Sequence, residues 1–116
     1  MRRVEFESVV DEVLASLPEW VVERIDNLRI TVEEWPNRDQ DASRSILGVY
    51  EGISLLERAG DYSGFLPDRI VVFRGPHLAL SLSDSGLRAE IRTTVLHEIA
   101  HHLGIDDARL RELGWD

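Results

Sequence analysis

Apolar residues return every three or four positions in some stretches of the chain and every second position in others. That rhythm divides it into elements. In FESVVDEVLASL, Phe6, Val9, Val10, Val13, Leu14 and Leu17 fall on one helical face, so residues 5 to 17 are expected as an amphipathic helix. Pro18 suits the first turn of a second short helix running to about Ile25. Leu28, Ile30 and Val32 alternate with polar residues, the period of a strand, which closes at Trp35-Pro36. NRDQDASR, residues 37 to 44, reads as a polar loop, and ILGVYEG, 46 to 52, as a second strand. Ile70 to Phe73 reads as a short buried strand closed by Gly75-Pro76. Leu78, Leu80 and Leu82 alternate with Ala79, Ser81 and Ser83, which predicts a further strand with one buried face. The longest signal is SDSGLRAEIRTTVLHEIAHHLG. There Leu87, Ile91, Val95, Ile99 and Leu103 fall four apart, with Leu96 beside them, as one apolar stripe along about five turns. Ser83, Asp84 or Ser85 can cap its start, and Gly104 suits a left-handed stop. A last short helix is expected from Ala108 to Leu113. Helices, then strands, then a long helix predict an α+β domain, a small mixed sheet with helices packed on one face.

Composition narrows the chemistry. The 116 residues suit a single domain, 1–116, and 43% hydrophobic with 30% charged residues is a globular mixture. A net charge of −9 repels phosphate backbones and anionic lipid, so no nucleic acid and no membrane partner is expected. With no cysteine there is no disulfide framework and no thiolate metal site, so a transition-metal site has to use His, Asp, Glu and water. The opening MRRVEFESVVDEV mixes acids into its apolar run, unlike a secretory signal, and no window approaches a membrane span. The expectation is a soluble cytoplasmic protein. Trp20, Trp35 and Trp115 are expected as packing residues.

The chemistry concentrates in HEIAHHLGIDD, residues His97 to Asp107. At about 100° per residue, His97 and His101 stand side by side, opposite the centre of the apolar stripe. They therefore point into a cleft or solvent, and neutral imidazoles at this spacing can hold one zinc ion. Glu98, a quarter-turn from His97, reaches a water beside the metal more readily than the metal itself, the placing a general base needs. A catalytic zinc takes three protein ligands. Gly104, with no Cβ, can reverse the chain just past His101 and return Asp106 or Asp107 to it. His102 is expected to be solvated or to support the ligands through a hydrogen bond.

His97-Glu98-x-x-His101-x-x-Gly104-x-x-Asp107 resembles the extended zinc motif of the Asp-zincins. LGVYEG, LPDRIVVFRGP and EIRTTVLHEIAHHLGID are similar to a family of short bacterial zincin-like proteins, the minimal metallopeptidases, a likeness covering about residues 46 to 116. The resemblance implies a zincin-like fold with the long helix as the active-site helix. It implies zinc as cofactor, His97, His101 and Asp107 as its ligands, and Glu98 as catalytic base. The implied activity is zinc-dependent hydrolysis of a peptide or protein substrate. Asp106 is then free to cap the final helix.

The departures bear on kinship. Metzincins end the same motif in a third histidine and add a methionine turn, whereas here the position is Asp107 and the only methionine is Met1. Gluzincins use a glutamate on a later helix, and Glu112, the only one after the motif, is too close in sequence. In zincins the strand before the active helix pairs with an extended substrate, and its counterpart is expected at about His77 to Leu82. Tyr50, Tyr62, Arg74 and His77 are candidate transition-state donors, among which the sequence does not choose. The alternative function is a zincin-like metal-binding regulatory or interaction module with little or no peptidase activity. The small size favours the module and the intact Glu98 favours the enzyme.

Overall fold

A computed structural model describes residues 1–52 and 68–115. Its helices and strands, among those residues, are α1 (Arg3–Ala15), α2 (Glu19–Arg24), β1 (Leu28–Glu33), β2 (Gly48–Glu51), β3 (Asp68–Phe73), α3 (Arg74–Ala79), α4 (Asp84–Leu103) and α5 (Asp107–Leu113). The architecture is α+β, as the alternation of patterns predicts. β3 enters between the first two strands, giving the order β1-β3-β2. It runs parallel to β1 and antiparallel to β2, so the sheet is mixed. Ile30 pairs with Ile70 and Val32 with Val72, while Gly48 pairs with Val72 and Tyr50 with Ile70. Side chains alternate along strands, so these residues share one face. α4 crosses that face over β2 and β3, and α1 packs along α4.

The core forms where the helical stripes meet the sheet. Phe6, Val9, Val10 and Val13 of α1 join Val32, Ile70 and Val72 and the α4 residues Leu87, Ile91, Val95, Leu96 and Ile99. Ile91, Val95 and Ile99 are fully buried, each contributing about 1.5–3 kcal/mol of transfer free energy. Leu110 and Trp115 bring the C-terminal segment onto the same cluster. Trp115 stacks on Trp20 at 6.0 Å, which bears out packing roles for both. Trp35 is 48% exposed. No helix among the described residues is long and apolar enough to cross a membrane.

Boundaries shift by a residue or two. α1 starts at Arg3 and ends at Ala15, Pro18 caps α2 from outside, and β2 covers 48–51 of the expected 46–52. One prediction fails. Residues 77–82 form no strand: α3 begins directly after β3 and runs to Ala79. Gly75-Pro76, which reads as a strand terminator, lies in the first helical turn, where a missing N–H is tolerated. Only Leu78 of the three leucines packs on the core, while Leu80 and Leu82 are 44% and 46% exposed. The expected substrate edge at His77 to Leu82 therefore does not exist.

His77 binds α3 to α4 from inside the core. Its Nδ1 lies 2.7 Å from the Phe73 carbonyl oxygen and its Nε2 3.0 Å from Thr94 Oγ1. A carbonyl only accepts, so Nδ1 carries the proton and a neutral ring accepts at Nε2 from the Thr94 hydroxyl. That hydroxyl also lies 3.0 Å from the Glu90 carbonyl oxygen, but its one proton serves one acceptor at a time. Burial pushes the His77 pKa below 6.5, against the opposing pull of the Phe73 carbonyl and Glu90. A lowered folded pKa means the unfolded chain binds the proton more tightly. His77 therefore costs no stability above the unfolded value and destabilises the fold as pH falls below it. The expected result is a denaturation midpoint in zinc-free protein that drops more between pH 7.5 and 5.5 for the natural chain than for His77→Gln. An equal drop in both would remove His77 as the cause.

Candidate metal centre

α4 is positioned by both of its ends. The Ser83 hydroxyl accepts from the Gly86 N–H at 3.1 Å, and Gly104 closes the helix in the left-handed conformation at φ 77°. The Ile105 N–H then donates to the Ala100 carbonyl at 2.9 Å, turning the chain back. In its middle, α4 comes unusually close to β2 because Gly48 has no side chain. A Cβ there would stand 2.7 Å from Thr94 Cγ2 and 3.5 Å from Glu98 Cγ. The sheet thus presses on the helix at the turn that carries the chemistry.

His97, Glu98 and His101 come together. The two imidazole rings are 5.0 Å apart and almost perpendicular, at 87°. Glu98 flanks the apolar stripe and is only 8% exposed. Its Oε2 lies 3.2 Å from His101 Nδ1, within ion-pair range, but out of line for a hydrogen bond, so this buried oxygen has no hydrogen-bond partner. Leaving a charged acceptor in that condition is costly, which makes the position receptive to a donor or a cation. The His101 pKa is raised, chiefly by the Glu98 carboxylate; burial opposes this and the charge of Asp107 adds to it. The negative field that favours a proton on His101 also favours a divalent cation, and imidazole with carboxylate suits zinc. The donor types at this turn, imidazole and carboxylate, are therefore those that the implied metal takes.

The two aspartates separate. Asp106 caps α5, its Oδ1 accepting from the Arg109 N–H at 2.8 Å, as expected for it. Asp107 is the first residue of α5, exposed, and close enough to His101 for its charge to act there. Among the described residues no three His, Asp or Glu side chains converge on one point where a metal could sit. The structure sets His97 beside His101 and Glu98 beside His101, and brings Asp107 to neither pair.

His102 corrects the sequence reading. It is fully buried rather than solvated. It stands seven residues after Val95, about 20° away around the helix, so the stripe's own arithmetic carries it to the core. The Asp26 N–H donates to its Nε2 at 3.2 Å, so Nδ1 bears the proton and donates to Asp68 Oδ2 at 2.9 Å. The Tyr50 hydroxyl donates to the same oxygen at 2.5 Å. This Tyr50–Asp68–His102 cluster ties the C-terminal end of α4 to β2 and β3, and the sequence reading missed it. A charged residue heading the apolar run of β3 was the available signal.

The candidate donors are otherwise engaged. Tyr50 serves Asp68, Arg74 donates to the Met1 carbonyl and to Glu34, and His77 lies in the core. Tyr62 falls outside the described residues. The groove that opens on the site is formed by Ser45, Ile46, Leu47 and Gly48 facing Glu90, Thr93, Thr94, His97 and Glu98, with a volume of about 400 Å³.

The sequence profile of a family described as Zincin-like metallopeptidase matches residues 25–115. No curated protein sequence matches the chain. Among solved structures, a conserved hypothetical protein from Thermo thermophilus is similar at 22% identity and a TM-score of 0.59, covering 99% of this chain and 100% of that one. At that identity the likeness concerns the fold alone.

Proposed function

The chain belongs to the zincin-like metallopeptidase family, and we propose that it is a zinc-dependent peptidase in which Glu98 is the general base. The observation that carries this reading is the buried Glu98 oxygen without a hydrogen-bond partner, flanked by His101, on a residue that also lines a groove. His97, His101 and Asp107 would hold the zinc, with the motif spacing supporting Asp107 as third ligand. When bound, zinc supplies Lewis acidity, which polarises a peptide carbonyl and makes a water easier to deprotonate. Glu98 takes the proton from the attacking water and delivers it to the leaving amine. Its burial strengthens that role, since few waters compete for the carboxylate. The core cluster from Phe6 to Trp115 supports one domain over residues 1–116. The acidic, cysteine-free chain supports a cytoplasmic setting.

A second reading, a metal-binding interaction module with little hydrolysis, is favoured by one observation: among the described residues no third side chain, Asp107 included, converges with His97 and His101. Incubating zinc-loaded protein with a randomised peptide library, followed by mass spectrometry, separates the two. New termini from internal peptide bonds are the expected result. A library left intact would sink the peptidase reading.

A further inference from the structure

Glu90 lies seven residues before His97, two turns along the same face of α4 and about 10 Å along the axis. It is half-buried and lines the groove that ends at His97 and Glu98. Among the described residues its carboxylate forms no hydrogen bond or ion pair. The groove thus carries one carboxylate at its far end, and at its near end Glu98, nine-tenths buried with one oxygen lacking a hydrogen-bond partner. Between them Ile46, Leu47 and the Thr94 methyl offer apolar wall, and Ser45 and Thr93 offer hydroxyls.

Resting on the peptidase reading, we infer that this groove is a specificity pocket for a basic side chain of the substrate, lysine or arginine, with Glu90 receiving its cationic head. The apolar wall suits the methylene stem of such a residue, whose charged end seeks a polar site. Glu90 completes a charge-assisted hydrogen bond, about twice as strong as a neutral one. A leucine in the same place would cover Glu90 without satisfying it, and a glutamate would meet like charge. The net charge of −9 draws cationic peptides towards the surface at long range.

The test uses peptide libraries with one fixed position as lysine, arginine, leucine or glutamate, presented to the zinc-loaded natural protein, Glu90→Gln and Glu90→Arg. Cleavage rates are read beside binding of the same libraries by fluorescence anisotropy. The natural protein is expected to prefer lysine or arginine over leucine. Glu90→Gln is expected to shrink that ratio by about 10–100-fold, the loss of one hydrogen bond to a charged group. Glu90→Arg is expected to turn the preference towards glutamate. Equal affinity of the natural protein for all four libraries would overturn the pocket. A basic preference in binding with no cleavage would overturn the peptidase reading and leave the pocket standing. A basic preference that survives unchanged in a folded Glu90→Gln would remove Glu90 as its source.

Discussion

Replacing Glu98 with glutamine is expected to lower peptide hydrolysis by about 10²–10⁴-fold, the range for loss of a positioned general base, while zinc stays bound. Glutamine keeps the shape and the burial of the side chain, so the contact of α4 with Gly48 is undisturbed. What is lost is the ability to take a proton. The amide places no charge in the buried position, so the variant is expected to fold as the natural chain does. Stability and hydrolysis therefore move apart, which a merely misfolded variant would not show. Equal rates in the two proteins would take the base role away from Glu98.

The second large effect separates the neighbouring aspartates. Asp107→Ala is expected to weaken zinc binding by more than the 10–100-fold that a residue outside the ligand set costs, and Asp106→Ala by no more than about that range. The stability effects should run the other way. Asp106 caps α5 through the Arg109 N–H, and removing such a cap costs about 1 kcal/mol. Asp107 is exposed in the first turn, so its replacement changes the zinc-free fold little. Zinc titration and denaturant unfolding of the two variants together check both halves. A reversed order of zinc affinities would transfer the ligand role to Asp106.

Much of this fold was legible in the sequence because its main helix follows a simple rule. The Leu87–Leu103 stripe, the Ser83 cap and the Gly104 stop are local features, set by residues within one turn of each other, and all are present. The strand expected at 77–82 misled for the same reason. Alternation over three leucines is a local signal, but what lies there is decided by where β3 ends and by how His77 reaches Phe73 and Thr94. The Asp68–His102 pair spans 34 residues and forms only when α4 is laid on the sheet. His97, Glu98 and His101 were legible as neighbours because one helix carries them. Asp107 lies beyond a chain reversal, where spacing names the residue but the backbone decides how close it comes.

The proposed zinc centre is tested most directly by a crystal structure of the zinc-loaded protein, with anomalous diffraction at the zinc edge. One zinc bonded by His97, His101 and Asp107, with Glu98 beside it but not bonded, is the expected result. Zinc on the two histidines alone, on Asp106, with Glu98 as a ligand, or at Asp68 and His102 would contradict it.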